Sequence, residues 1–483
     1  MIPKQEIIEI ATQSNLQTHV IEKDYVLGWL LAGINRHAAL HDTWVFKGGT
    51  CLKKCYFETY RFSEDLDFTL RETSHIDVDF LRGTFAEISE WIYEQSGIEI
   101  PADRMKFEVY TNPRGVESCQ GRVYYKGPAT YSGKHSMPRI KLDLSSDEVV
   151  VDDPVTIPVR HDYTDCPEGG INIQAYSYAE VFAEKIRALK ERTRPRDLYD
   201  VINFYRRPES SEVAGDVKSF VTKKCAFKSI TFPILADLEP HKDICATGWE
   251  DQLSHQLQAL PPFDSFWSEL PSFFSWLDDP ESALIGQLLP IPAKSEGEAK
   301  TITLEAGSPN FSTLERVRFA AVNRLCIELD YRKENGQRST YVIEPYSLRT
   351  AREGNILLYG VKLPAGEIRC FRADRIIGAT VTRQSFAPRY SIDFIPEGPV
   401  RLSARQMNSI SLALPQRPSS VPKVRTGRTR KSKSGGGPKY VFRCSVCGKQ
   451  FTRGTHDSRL NPHKNKQGYP CYGTTGLYVK TKY

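Results

Sequence analysis

Two aspartates, Asp65 and Asp67, alternate in the segment SEDLDF. On a β-strand that spacing sends both carboxylates to one face, while Leu66 and Phe68 enter a core. Side-by-side carboxylates are hard oxygen ligands suited to Mg²⁺, which keeps several waters and binds through one or two carboxylates plus substrate phosphates. Upstream, Gly48 and Gly49 let the backbone approach a phosphate, and a following turn of helix would aim its N–H groups at that anion. Lys53, Lys54, Arg61 and Ser63 lie between the two features. A lone Asp-x-Asp is ordinarily a solvated strand face and a lone Gly-Gly a turn. Both within residues 46–68 make a nucleoside triphosphate site.

Two later segments carry compatible groups. In RIKLDLS (139–145), Ile140, Leu142 and Leu144 share one strand face, and Arg139, Lys141, Asp143 and Ser145 share the other. In YAEVFAEKIRALKER, Ala179, Phe182, Ala183, Ile186 and Leu189 form a helical stripe with Lys185 at its edge, placed either to snorkel to water or to meet a phosphate. Pro195 fits the first turn of a second helix, on which Asp197 and Asp200 share a face.

The run KGGT-x-L-x-K followed by RFSEDLDF resembles the AbiEii/AbiGii toxin group of nucleotidyltransferases. The resemblance extends to VIEKDYVLGWLL, to Lys141 and Asp143 as a Lys-x-Asp beside the Asp-x-Asp, and to RDLYD with Arg196, Asp197 and Asp200. It also covers an acid-x4-Lys motif, filled by Glu180, where the family usually has aspartate, and Lys185. What it implies is a polymerase-beta-like nucleotidyltransferase core. Asp65, Asp67 and Asp143 would hold Mg²⁺, the third carboxylate serving the metal that activates the attacking hydroxyl. Gly48, Gly49, Thr50, Lys54, Arg61, Ser63, Lys141 and Glu180 would surround the nucleotide, Lys185 would reach the triphosphate as a point charge, and Asp197 would be the functional acid of the last motif, with Asp200 as a helix-stabilising alternative.

The elements that must position these groups follow from periodicity. Residues 4–35 read as helical, with Glu22, Lys23 and Asp24 as an exposed charged turn. Trp44 to Phe46 lead into the glycine pair, and Leu52, Cys55 and Tyr56 give the short helix after it an apolar side. Residues 78–96 form an amphipathic helix with Phe80, Leu81, Phe85, Ile88, Trp91 and Ile92 inward. Aromatic, proline-punctuated sequence up to 290 suits short helices closing a bundle.

At 483 residues with 40% hydrophobic content the chain holds more than one domain. The expected class is multi-domain α+β: a nucleotidyltransferase domain (1–290) with a helical C-terminal half, a linker (291–312), a small β domain (313–397), a basic linker (398–438) and a zinc-binding domain (439–483). Short strands with Gly-containing turns after 325 indicate a small barrel or sandwich. There VIEPYSL followed by FRADRI resembles a WYL domain, which implies an SH3-like barrel sensing nucleotide or single-stranded nucleic acid. Ile356, Leu357 and Leu358 replace that family's Trp-Tyr-Leu. Arg369 and Arg372 match its basic positions, either gripping phosphate as alternating arginines or standing as solvated strand charges.

From Gly398 onward there are 18 Lys and Arg against one acid, Asp457, a net +17, leaving 47 basic against 58 acidic residues, −11, before it. A basic tail on an acidic body points to a polyanionic partner. Eight of the 11 cysteines are scattered through the first 370 residues and read as reduced core thiols. The other three, Cys444, Cys447 and Cys471, join His463, with His456 as its rival, in a Cys3His zinc site, redox pairing being the other use of such cysteines. No apolar run approaches the length of a membrane span and MIPKQEIIEI lacks a signal pattern, so a cytoplasmic protein is expected.

These observations converge on a Mg²⁺-dependent nucleotidyltransferase that takes a nucleoside triphosphate. The resemblance adds a toxin of an abortive-infection or toxin-antitoxin system, with RNA, the 3′ end of tRNA, as acceptor and an antitoxin as possible partner. The competing readings are a WYL and zinc nucleic-acid-binding regulator on a degenerate scaffold, and nucleotidyl transfer to a protein hydroxyl.

Overall fold

The structure, a computed structural model, describes residues 1–57, 61–130, 137–279, 288–294, 299–300, 311–394, 439–444, 447–453, 458, 460–461, 463–464, 470–471 and 476–482. The basic stretch 398–438 and His456 lie outside the described residues. Contacts divide the chain into two compact units, Met1–Leu414 and Pro415–Tyr483. Among the described residues no helix is long and apolar enough to cross a membrane.

The first unit is built on a seven-stranded sheet. Its strands are β1 (Trp44–Lys47), β2 (Asp65–Leu70), β3 (Lys106–Thr111), β4 (Glu117–Tyr124), β5 (Arg139–Ser145), β6 (Val155–Val159) and β7 (Ile171–Ala175), in the order β3-β4-β5-β2-β1-β7-β6. β2 runs parallel to β5 and β1 parallel to β7, the other pairs being antiparallel. Phe46, Leu66, Phe68, Ile140, Leu142 and Leu144 are all buried, because alternation sends them to the inner face. Of these strands the sequence pattern predicts β2 and β5 alone.

Helices α1 (Lys4–Ser14) and α2 (Thr18–Arg36) replace the single helix expected over 4–35. The chain breaks at Asn15, whose φ of 52° is the left-handed cap that Asn tolerates. The Glu22-Lys23-Asp24 turn departs from the expected exposure: Glu22 and Asp24 are buried. Glu22 accepts hydrogen bonds from the Ala129 N–H (2.6 Å) and the Thr130 hydroxyl (3.0 Å), and Asp24 pairs with Lys54 at 2.7 Å. Short α3 (Gly48–Cys51) continues into a wider turn, Leu52–Tyr56. Helix α4 (Val78–Ser96), capped by the Asp77 carboxylate on the Phe80 N–H, packs Phe85 against Trp44 and Phe107. Helices α5 (Tyr178–Arg192) and α6 (Pro195–Tyr205) follow, and short helices run on to Asp278.

The later β region forms one antiparallel sheet. β8 (Ala299–Lys300), β9 (Leu325–Arg332), β10 (Arg338–Thr350), β11 (Ile356–Lys362), β12 (Glu367–Arg372) and β13 (Ile376–Ser385) are ordered β12-β11-β10-β9-β13, with β8 pairing on β10. The sequence pattern does not reveal β13. Parts of the expected linker join this sheet: Ile291 is buried beside Tyr346 and Tyr359, and Lys300 pairs with Arg349. In the signature position Ile356 and Leu358 are buried in the core. Arg369 and Arg372, three apart on β12, leave on opposite faces, so they do not alternate along one face as expected. Each is held locally, by Glu367 at 2.7 Å and Asp374 at 2.8 Å.

Candidate active site

The parallel register of β2 and β5 sets Asp67 directly beside Asp143 and Asp65 beside Lys141. All four side chains therefore leave the sheet on one face. Burial and the neighbouring Asp143 push the Asp67 carboxyl up to about 6, and burial also raises Asp65. Crowded carboxylates with raised pKa are the donor set a divalent cation relieves. They fit Mg²⁺ by chemistry.

Gly48 has φ +78°, and a Cβ there would lie 2.0 Å from Asp67 Oδ2. A Cβ on Gly49 would meet Arg61 Nη2 and Ser63 Oγ, each at 2.9 Å. The glycines thus seat the turn directly against the acidic strand. The buried Thr50 hydroxyl donates to the Asp65 carbonyl, locking turn to strand rather than facing a ligand.

Several expected nucleotide contacts are committed elsewhere. Lys54 is buried and donates to both the carboxylate (2.7 Å) and the carbonyl (3.0 Å) of Asp24. Glu180 is fully buried, pairs with Lys224 at 2.8 Å and accepts from the Val151 and Asp152 N–H groups, so it has no face left for a nucleotide. Arg61 makes a bidentate pair with Asp200, 2.8 and 2.9 Å, and donates to Gln256 Oε1 at 3.0 Å. Lys185 bridges Asp200 (2.8 Å) and Asp197 (3.4 Å), and Asp197 is held in turn by Arg192. The chain Arg61–Asp200–Lys185–Asp197 forms a buried ionic floor, closed at its end by the exposed Arg192, and its Lys185 charge is felt at Asp67.

Other groups escape the sequence pattern. Lys47, opposite Asp67 in the β1–β2 ladder, is buried against Glu184 (3.2 Å) and Glu148 (3.8 Å). Burial opposes its charge, but these two carboxylates hold it above the ordinary lysine range. Arg196, half-buried at the start of α6, feels Asp65 and forms no ion pair among the described residues, and neither does Lys141. They are two cations beside the aspartates with an uncommitted charge. The RDLYD segment contains Arg196, but periodicity alone gives it no direction.

A family profile described as the nucleotidyl transferase AbiEii toxin of type IV toxin-antitoxin systems matches residues 29–278, more than half of the chain. The chain belongs to this family. It is a nucleotidyltransferase, and a WYL domain matches over residues 312–381. Among solved structures it is similar to MenT4, a nucleotidyltransferase toxin from Mycobacterium tuberculosis H37Rv, at 17% identity and a TM-score of 0.39, covering 58% of this chain and 90% of that one. A second similarity is to proteasome accessory factor B/C of Arthrobacter aurescens, at 19% identity and a TM-score of 0.16, covering 32% of this chain and 19% of that one. Comparison with curated proteins gives no match.

The second unit carries the other metal candidate. Strands Lys439–Cys444, Gln450–Arg453 and Gly476–Lys482 form a three-stranded sheet, and His463–Lys464 pairs with Pro470–Cys471. The ligand atoms of Cys444, Cys447, His463 and Cys471 all lie within 4.8 Å of one another. His463 Nδ1 lies 2.9 Å from the Asn461 carbonyl, an acceptor that places the proton on Nδ1 and leaves Nε2 to face Cys447 Sγ at 3.3 Å. Three sulfurs and one imidazole nitrogen fit zinc. A module this small, with a core of Phe442, Cys444 and Leu460, would draw its stability from such an ion. Strong chelation is therefore expected to unfold it, released zinc being read with a colorimetric chelator and loss of structure by proteolysis confined to the C-terminal segment.

Proposed function

We propose that the chain transfers a nucleoside monophosphate from a nucleoside triphosphate to a hydroxyl of RNA, the 3′ end of a tRNA, as the cytoplasmic toxin of a bacterial toxin-antitoxin or phage-defence system. The observation that carries this reading is the parallel pairing of Asp67 with Asp143 beside the left-handed Gly48 turn. An oxygen–phosphorus bond forms from the acceptor hydroxyl to the α-phosphorus, the α–β phosphoanhydride bond breaks, and pyrophosphate leaves. Asp65, Asp67 and Asp143 would hold Mg²⁺, which supplies charge neutralisation at the phosphates and acidifies the hydroxyl. The Asp143 carboxylate takes the acceptor proton. Lys141 and Arg196 meet the triphosphate charge, and the ionic floor under Asp67 fixes Lys185 and α6 in place.

The tail of net +17 and the Cys3His unit support a nucleic acid acceptor over a protein one. Reading β9–β13 as an SH3-like barrel, and dividing the chain at 1–290, 313–397 and 439–483, belong to the same proposal. An antitoxin protein is the expected partner, by virtue of the family.

The test incubates the purified chain with total tRNA, Mg²⁺ and each labelled nucleoside triphosphate in turn. The wild type should label RNA, and an Asp65→Ala, Asp67→Ala variant should fall by at least about 1,000-fold, since two of the three metal-binding carboxylates are gone. Equal labelling by both proteins would refute the site. Labelling of cell protein instead of RNA would reassign the acceptor.

A further inference from the structure

The polar face that carries Asp67 continues across the free half of the sheet. Lys141 lies opposite Asp65 on one side and Arg122 on the other, Arg122 lies opposite Lys106, and Tyr124 opposite Arg139. Directly opposed residues leave a sheet on one face. Lys106, Arg122, Tyr124, Arg139 and Lys141 therefore share the face of the three aspartates. Their neighbours on the reverse face, Phe107, Val123, Ile140 and Leu142, are buried.

Towards β1 this polar face is covered, with Lys47 buried against Glu184 of α5. Towards β3 it is open: Lys106 and Arg139 are exposed, and Arg122, Tyr124 and Lys141 are partly so. Glu108 is paired with Arg122, at 2.7 and 3.1 Å. Lys106, Arg139 and Lys141 form no ion pair among the described residues. A hydrogen bond from Arg139 (3.4 Å) lowers the Tyr124 phenol below the ordinary tyrosine range, and the charges of Arg139, Lys106 and Arg122 add to it. Unneutralised positive charge thus gathers around an accessible aromatic ring. That combination suits a single-stranded nucleic acid, whose phosphates seek the cations and whose bases stack on aromatic faces.

We propose that this open face is the acceptor subsite: a single-stranded RNA end crosses β3, β4 and β5, its phosphates on Lys106, Arg122 and Arg139 and a base against Tyr124, delivering its terminal hydroxyl to Asp143 and Asp67. The subsite rests on the nucleotidyl-transfer reading above. From β2 to β3 the track is three strand spacings, roughly 14 Å. It therefore engages only the end of the strand and leaves the body of the RNA to other surfaces.

The test uses the full chain and two variants, Arg122→Ala/Arg139→Ala and Tyr124→Leu. The arginine pair should raise the KM for RNA by at least about 10-fold and lower the salt slope of log KM by about 1.4, two phosphate contacts at about 0.7 each. Tyr124→Leu should raise the KM for RNA by about 5- to 100-fold, the loss of one stacked base. The KM for nucleoside triphosphate and the thermal midpoint should stay near wild type in both. An unchanged KM for RNA in both variants overturns the subsite. A second arm needs no turnover: an oligoribonucleotide with 4-thiouridine at its 3′ end is photo-crosslinked to the wild type. Labelling within 117–124 or 139–145 supports the subsite, and labelling confined to 398–483 overturns it. A chain that cross-links at these strands yet transfers nothing to RNA keeps the subsite and sinks the reading of RNA transfer.

Discussion

Replacing Gly48 with alanine is expected to inactivate the enzyme and to destabilise its fold together, by a route that the neighbouring glycine does not share. At φ +78° an L-residue carries a penalty of roughly 1–2 kcal/mol before any contact is made. The new methyl group would also stand 2.0 Å from Asp67 Oδ2, so the carboxylate must swing away. Asp67 has little room to do so, being flanked by Asp143 in the register and by Lys47 across the β1–β2 ladder. A loss of about 2–4 kcal/mol by chemical denaturation is expected once strain and displacement combine. Activity should fall by at least about 100-fold, the usual consequence of moving a reacting group by an ångström. Adding Asp67→Gly to Gly48→Ala separates the causes: it should recover the collision part of the stability while activity stays lost. Full recovery of stability would show that the left-handed backbone carries no strain, and a Gly48→Ala enzyme with wild-type turnover would remove the turn from the site.

The same strand shows what a sequence can and cannot convey. Strands β2 and β5 are readable because one face is wholly apolar and the other wholly polar, so period-two alternation identifies both the element and the face. Strands β3 and β4 lie further along the same sheet, but Lys106, Glu108, Gln120 and Arg122 border water and mix with glycine and cysteine, which blurs the alternation. The larger failure concerns charge. Asp24, Lys54, Arg61 and Glu180 read as solvated or as reaching for phosphate, because a charged side chain is usually exposed. Each is buried against a partner: Lys54 lies 30 residues from Asp24, and Arg61 lies 139 from Asp200. No local pattern encodes such pairing. The Cys3His set escapes that difficulty, because zinc ligands come from a short segment with two cysteines at fixed spacing.

Removing the Asp200 carboxylate should be the most damaging single change to the ionic floor. Asp200 is fully buried and meets both Arg61, through two hydrogen bonds, and Lys185, at 2.8 Å. Burial alone would raise its carboxyl, but Arg61 and then Lys185 hold it down to about 2, against an ordinary 3.8. A depressed folded-state value means stability that is present above pH 4 and is lost as pH falls towards 2, worth at most roughly 2.5 kcal/mol. Asp200→Ala takes from Arg61 the carboxylate of its bidentate pair and leaves Lys185 with Asp197 alone, at 3.4 Å, a change that costs about 3–5 kcal/mol when a buried pair is broken from one side. The difference in unfolding free energy between wild type and variant should therefore be largest at neutral pH and narrow below pH 4. Arg61→Ala combined with Asp200→Ala should cost less than the two single changes added together, because the second removes a charge that the first had stranded. Strict additivity would mean that the two groups do not act as a pair. Activity should fall with the floor, since α6 carries Asp197 and Arg196 and Lys185 loses the closer of its two carboxylate partners.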